Sequence, residues 1–361
     1  MKTSLRPDPT VQKLLISSPS SFVGEFENDF LLVTHAWPDR STRRLRTSHS
    51  EGPASRSAYI VAFKTEPHEI KPGVMVPDYS AVGPMICAYF SVLFGKRFDF
   101  HGLIEGSGYF NIPAMSEYYS LSDHKLSHNS HVPRKGVSIP LNLIEVERLL
   151  PLLTVNALDA GVVRVFQFAA RFYLQALQTY ESDAEVAYLH LITSAEIISN
   201  SSFYDERELL DKEIIEALER ISSELDGGER IARAIRSRLY SVRRRFVKTL
   251  TGLLSEPFFQ GYETDEGWMA LRKDCISRRL LAAYDLRSKY VHAGTDFGTW
   301  VSSGGRWEVQ MGKPVVEDKE FAKLLHRAPT FMGMERVLRY ALLHYLHRSG
   351  APMHSCFAVE I

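Results

Sequence analysis

Two residues whose side chains could act on a phosphodiester lie near the end of a predicted helix. Arg287 and His292 occur in the segment 283–294 (AYDLRSKYVHAG). Their spacing corresponds to about 140° around an ideal helix. Gly294 is typical of the position just beyond a helix end, so His292 falls in the last turn. There the backbone can tighten or splay, and we expect the two side chains to converge on one pocket.

The two groups have complementary chemistry. The negative end of a helix dipole favours the protonated form of His292, and imidazoles transfer protons near neutral pH. The Arg287 guanidinium is a planar, permanently charged fork for phosphate oxygens. A purely structural role is the alternative. In that case His292 caps the helix, and Arg287 pairs with a carboxylate such as Asp285 or Glu196.

A strongly basic segment precedes this site. Between residues 230 and 248 the chain contains eight basic and no acidic residues. Apolar residues at helical spacing would form the buried stripe of a helix here, and the basic side chains would lie on its other faces. Such a helix could follow a phosphate backbone. The alternative is neutralisation by the acidic helix predicted at 205–225. Arg243, Arg244 and Arg245 exceed what that helix would neutralise, so we take them, with Lys289, as the candidate RNA-binding residues.

Other chemical motifs are weak. His124, His128 and His131 have a helical metal-ligand spacing, but Asn129 and Pro133 disfavour a helix there. We therefore predict no metal site. The chain contains neither a GxxxxGK[ST] nor a GxSxG motif, and its glycines do not form a dinucleotide fingerprint.

The residues after Pro140 predict a helical bundle. Apolar residues recur at helical spacing in several segments, and Asp183 is a predicted N-cap. The predicted helices are 141–153, 162–180, 183–198, 205–225, 229–253, 265–292 and 334–347. Residues 295–316, which contain two tryptophans and four glycines, predict a hairpin or a long excursion.

Residues 1–140 predict a smaller α+β domain, with a sensing or regulatory role as one interpretation. Ser57–Lys64 is typical of a strand, and Gly83–Phe94 of a short buried helix that Gly95 ends. The glycine-rich and aromatic segment Phe98–Pro113 predicts hairpins. The polar segment Asp123–Gly136 predicts a linker to the helical domain, which we place at 141–361.

The composition is that of a globular protein. The 361 residues are 45% hydrophobic and 24% charged, with 43 basic and 43 acidic residues. This balance gives no overall attraction to nucleic acid. Three dispersed cysteines favour a reducing compartment. The first residues lack the apolar core of a signal peptide, and no apolar run reaches the roughly 18 to 20 residues that cross a bilayer. We expect a cytoplasmic protein that does not associate with membranes.

The motif and its helical context resemble a known family. Arg287-x4-His292, preceded by Leu286 and followed by Ala293-Gly294, resembles the signature of the HEPN domain superfamily, with the Apea-like HEPN group as the nearest variety. Segments 170–172 and 184–198 are similar to the early helices of that group, with Glu196 at the usual acidic position. The resemblance covers residues 141–350. Many active members carry a polar amide after the arginine, where this chain has Ser288.

The resemblance implies a mainly α protein, with an HEPN-type bundle after the smaller α+β domain. It also implies metal-independent RNA cleavage without a cofactor, in a composite site across a homodimer. Arg287 would stabilise the phosphorane, His292 would transfer protons, Ser288 would hydrogen-bond beside them, and Glu196 would orient Arg287 or His292. Such proteins serve as toxins or anti-phage defence effectors, restrained by a regulatory domain or an inhibitor. The alternative is a non-catalytic HEPN-type module that binds nucleic acid or protein.

Overall fold

The structure, a computed structural model, describes most of the chain. The described residues are 8, 10–36, 56–66, 77–202, 204–205, 209–238, 242–302, 306–353 and 357. The N-terminal part contains an antiparallel sheet and one buried helix, and the rest is mainly helical. This coarse architecture agrees with the prediction. Among the described helices, none combines the length and the apolar character needed to cross a bilayer.

The sheet contains six described strands, all antiparallel to their neighbours, in the order β2-β3-β4-β1-β5-β6. The strands are β1 (Val11–Ser18), β2 (Phe26–Glu27), β3 (Leu31–His35), β4 (Ser57–Lys64), β5 (Asp99–Gly106) and β6 (Tyr109–Phe110). In the centre of the sheet, Leu14 of β1 pairs with Val61 of β4. The predicted strand at Ser57–Lys64 is confirmed, and β5 and β6 form a hairpin within the segment predicted to contain hairpins.

Helix α1 (Val82–Phe94) packs against this sheet. Ten of its residues are buried because it lies between the sheet and the helical part of the chain. It ends at Gly95, whose φ of 63° is in the left-handed region that favours glycine. Phe94 contacts Phe22 edge to face, with a centroid distance of 4.8 Å. The prediction of a short buried helix ended by Gly95 is confirmed.

The remaining described helices form the second part of the chain. They are α2 (Leu150–Leu153), α3 (Ala160–Thr179), α4 (Ala184–Ser201), α5 (Lys212–Glu224), α6 (Gly228–Arg238), α7 (Val242–Leu253), α8 (Glu256–Gln260), α9 (Ile276–Ala293), α10 (Lys319–Arg327) and α11 (Phe331–Arg348). Asp183 caps α4 by accepting a hydrogen bond from the Val186 N–H at 3.0 Å, as predicted. Helices α3 and α4 pack against each other, and α11 contacts both.

Several predicted helix bounds were wrong. Residues 141–153 form a 3₁₀ helix (Leu143–Leu149) followed by the single turn α2, because Pro151 lacks the N–H that a continuous α-helix would need there. Helix α9 begins at Ile276 rather than at residue 265. Before it, Gly267–Met269 forms a short 3₁₀ helix.

Some predicted elements extend beyond the described residues. The basic helix predicted at 229–253 corresponds to α6 and α7. Residues 239–241, between these two helices, are outside the described residues. The acidic helix predicted at 205–225 corresponds to α5, and residues 206–208 are likewise outside them. In the predicted excursion at 295–316, the described part contains a 3₁₀ helix (Gly298–Val301).

A buried network of charges connects the predicted linker to α11. Arg134 contacts the carboxylates of Glu263 and Glu335, and all three side chains are at most 5% exposed. Arg339 of α11 donates hydrogen bonds to the carbonyls of Val92 and Val137, on either side of the predicted linker. One hydrophobic core contains residues of both parts of the chain. The division into domains 1–140 and 141–361 stays a prediction.

Candidate functional site

The end of α9 is well defined. The helix continues through Ala293, and Gly294 follows with a φ of 60° in the left-handed region. The Gly294 N–H donates to the carbonyls of Lys289 and Tyr290, which satisfies backbone groups of the last turn. The predicted helix end is therefore confirmed. His292 still lies within regular helix, so it stays about 140° around the axis from Arg287.

Arg287 faces the interior of the bundle. Its Nη2 atom lies 3.5 Å from the Oε2 atom of Glu196 on α4, and the two side chains are 24% and 13% exposed. Tyr284, one turn before Arg287, also lies beside Glu196. Burial, together with the charge of Glu196, raises the pKa of this tyrosine. Arg287 and Glu196, which the sequence predicted to act together, are thus brought together by the packing of α9 on α4.

His292 has different surroundings. His292 is exposed, and so are its neighbours Val291 and Ala293. Within the described part of the chain, no hydrogen bond or ion pair involves the His292 imidazole. The predicted convergence of Arg287 and His292 on one pocket of this chain is not seen, because the two side chains leave α9 on different faces.

Ser288 and Lys289 line a shallow cleft of about 330 Å³ between α9 and α10. The opposite wall carries Lys323 and Arg327 of α10, both exposed. Carboxylates also line the cleft, one of them Asp285. The cleft therefore combines three cationic side chains with acidic neighbours on an open surface, on the side of α9 away from Arg287.

The three consecutive arginines of α7 have protein partners. Arg243 pairs with Asp285 of α9 at 2.5 Å, and this contact opposes the effect of burial, which raises the pKa of Asp285. Arg244 pairs with Asp211, at the start of the acidic helix α5. The Arg244–Asp211 contact agrees with the alternative given above, in which the acidic helix neutralises the basic one.

Arg245 is 7% exposed and bonds to Asn200 of α4. The two neighbouring arginines remain about half exposed, at 49% for Arg243 and 41% for Arg244. Only these two of the three side chains therefore reach the surface of the chain.

The three histidines of the predicted linker do not form a common cluster. The rings of His124 and His131 are stacked at 5.0 Å, whereas His128 is buried against Tyr180 and Phe331. Among the described residues, no group of three or more His, Cys, Asp or Glu side chains is arranged to hold a metal ion.

The sequence analysis missed a larger cavity lined by His128. Its other walls come from residues more than fifty positions away in the chain, such as Tyr180 and Phe331. The sequence carries no signal that marks this cavity. A pattern within one segment cannot show which distant residues complete such a wall.

The fold and site together define a mainly helical protein with an antiparallel sheet, which carries an Arg–Glu pair and an exposed histidine on one of its helices. Comparison with protein families, with curated proteins and with solved structures finds no match to this chain. The resemblance to the HEPN superfamily therefore depends on the motif and on the helices described above.

Proposed function

We propose that this chain is a metal-independent endoribonuclease of the HEPN type, with a composite active site across a homodimer. One observation carries the proposal. His292 is an exposed histidine in the last turn of α9, the helix on which Glu196 holds Arg287. A histidine that transfers protons to a bound substrate must be accessible to it, and His292 meets this requirement.

The reaction uses the nucleophile that RNA itself supplies. One His292 removes the proton of a ribose 2′-hydroxyl, and the 2′-oxygen forms a bond to the adjacent phosphorus. The bond from phosphorus to the 5′-oxygen breaks, and a second histidine protonates the leaving oxygen. The products are a 2′,3′-cyclic phosphate and a 5′-hydroxyl. Arg287 stabilises the negative charge on the non-bridging oxygens.

The exposed position of His292 supports a dimeric site. One imidazole cannot be both base and acid within the same step, and two copies related by a two-fold axis supply one of each. The angle of about 140° between Arg287 and His292 is also compatible with such a site. In a dimer, Arg287 of one protomer can lie beside His292 of its partner.

The cleft between α9 and α10 is the proposed path for the RNA backbone. Lys289, Lys323 and Arg327 line it, and Ser288 lies in the same wall as a hydrogen-bonding group. Cationic side chains in an open groove contact phosphates whatever the base sequence. We include Arg243 as a contact at the edge of this path, since it is half exposed and pairs with Asp285 of the cleft.

The second candidate function is a non-catalytic module that binds nucleic acid or a partner protein. The observation that favours it is the pairing of Arg287 with Glu196, which leaves the guanidinium partly neutralised. As a ribonuclease, the protein would act as a toxin or anti-phage defence effector, and residues 1–140 or an inhibitor would restrain its activity.

The experiment that tests the proposal is incubation of the purified chain with total RNA in EDTA, followed by mapping of the cut ends. We expect 2′,3′-cyclic phosphate and 5′-hydroxyl ends. Substitution His292→Ala should lower the cleavage rate by about 10²- to 10⁴-fold, the usual contribution of general acid–base catalysis. RNA that stays intact between pH 6 and 9 would argue for the binding module instead.

A matched control separates catalysis from general damage. His326 is also an exposed histidine, on α10, and His326→Ala should leave the cleavage rate unchanged. Exchange of wild-type chains with an excess of His292→Ala chains tests the composite site. Each mixed dimer contains a single His292, so the two-histidine mechanism predicts that the activity of a fixed amount of wild type falls. If that activity is unchanged although mixed dimers form, the site is not shared between protomers.

A further inference from the structure

A cavity of about 570 Å³ lies apart from the proposed RNA site. It opens between residues 123–128, the C-terminal end of α3 and the N-terminal end of α11. Small-molecule sites in proteins commonly have volumes of roughly 300–1,000 Å³. None of Arg287, Ser288 or His292 lines this cavity, so its role is independent of the proposed nuclease activity.

One wall of the cavity is aromatic. The rings of Tyr180 and Phe331 lie 4.1 Å apart between centroids, with an angle of 30° between their planes. His128 contacts both rings edge to face, with centroid distances of 5.8 Å and 6.3 Å. The thioether side chain of Met332 completes this surface. Aromatic faces and a methionine favour a flat, polarisable ligand over a flexible polar one.

His128, which lines the cavity, also carries a polar atom without a partner among the described residues. His128 is 4% exposed, and its Nε2 atom is buried without a hydrogen-bond partner among the described residues. Buried polar atoms are nearly always hydrogen-bonded, because an unpaired one loses its contact with water without compensation. Burial, reinforced by the nearby charges of Arg134, Arg97 and Lys96, holds the pKa of His128 well below its ordinary value. In the neutral imidazole, rotation of the ring toward the cavity would present this uncharged nitrogen to a ligand.

The charges at the cavity are balanced. The carboxylates of Asp123 and Asp265 line it together with the cationic side chains of Lys125 and Arg306. The fifth charged group, Glu335, is already paired with Arg134. The cavity therefore offers no excess of positive charge to bind a phosphate.

We propose that this cavity binds a free nucleobase or nucleoside, an uncharged flat nitrogen heterocycle. The base packs against Tyr180 and Phe331, and one of its ring nitrogens or N–H groups hydrogen-bonds to His128. Nucleobases combine an apolar face with donors and acceptors at the edge, which matches an aromatic wall that contains one unpaired nitrogen.

Calorimetric titration of the full chain tests this proposal. The probes are adenosine, guanosine, cytidine and uridine, together with their 5′-monophosphates. At least one nucleoside should bind with a dissociation constant below about 1 mM, and its monophosphate should bind more weakly. The proposal is overturned if no nucleoside binds at millimolar concentration, or if the monophosphates bind more tightly than the nucleosides.

A pair of methionine substitutions locates the site. Met332 is partly exposed and lines the cavity, so Met332→Trp should fill it and weaken nucleoside binding at least about tenfold. Met311 is also partly exposed but lines a different, shallow pocket, so Met311→Trp should leave the affinity unchanged. Equal affinity of wild type and Met332→Trp would place the ligand elsewhere and refute the assignment.

Nitrogen NMR tests the contact with His128 without any substitution in the core. The Nε2 resonance of His128 should shift when the bound nucleoside is added, because a hydrogen bond forms at that atom. An unchanged Nε2 resonance at saturating nucleoside would contradict the proposed contact and with it the assignment of this cavity.

Discussion

Replacement of Arg134 by methionine should destabilise the protein by about 3–5 kcal/mol. The guanidinium donates to Glu263 at 2.8 Å and to Glu335 at 2.9 Å, and it donates to the Gly95 carbonyl at 3.2 Å. At 3% exposure, water cannot replace these bonds. Methionine fills a similar volume, so the main loss is the charge, which leaves two buried carboxylates without this partner.

The pH dependence of stability gives a second, independent readout. Burial by itself would raise the pKa of Glu263, but the charge and hydrogen bond of Arg134, together with the charges of Arg339 and Arg336, outweigh burial and hold the pKa below its ordinary value. In the wild type this carboxylate therefore contributes stability that is lost as the solution is acidified through that lowered pKa. In Arg134→Met burial is no longer outweighed, so the carboxylate favours its protonated form. The variant should then lose stability as pH rises above the ordinary range of a glutamate.

Urea denaturation at pH 5 and pH 8 measures both effects, with Arg272→Met as the control. Arg272 forms an ion pair with Asp274 in which both side chains are more than 60% exposed, so its loss should cost less than about 1 kcal/mol. The triple variant Arg134→Met, Glu263→Gln, Glu335→Gln should recover much of the lost stability, because no buried charge is left without a partner. A loss below about 1 kcal/mol for Arg134→Met at both pH values would refute this reasoning.

Three further predictions test other parts of the structure. Gly333→Ala should destabilise the protein by about 1–3 kcal/mol in urea denaturation, because the new Cβ would lie 2.2 Å from the Glu308 carbonyl oxygen. Gly252→Ala, also within a helix but with no atom within 4 Å of its Cβ, should instead stabilise by up to about 1 kcal/mol. In salt-dependent RNA-binding assays, Lys289→Glu should weaken binding and lower the salt slope by about one, whereas exposed Lys135→Glu should change neither.

Elements with local signals could be predicted from the sequence. The Asp183 cap, the end of α1 at Gly95 and the end of α9 at Gly294 each depend on residues within one helical turn. The start of α9 has no comparable cap, since Cys275 at that position makes no capping hydrogen bond with its side chain. The start of α9 was predicted too early, at residue 265, because no capping residue marks its true start at Ile276.

The candidate site could be predicted only in part, for a different reason. The approach of Arg287 to Glu196 follows from packing of two helices whose contacting residues are 91 positions apart. Helical spacing fixes the angle between Arg287 and His292, but it does not give the partner of either side chain. The Arg134–Glu335 pair, across 201 positions, had no signal in either segment alone.

The chain as a whole has as many basic as acidic residues, but its buried residues, in the described part, include more basic than acidic side chains. Among the described residues, seven cationic side chains are buried with four carboxylates, and several of these cations donate to backbone carbonyls instead, as Arg339 does to three of them. Since the whole chain has 43 residues of each sign, all other residues together carry three more acidic than basic side chains. General attraction to RNA is therefore weak, and binding must depend on local cations such as Lys289. For this reason one charge reversal in the α9–α10 cleft should have a large effect on RNA binding.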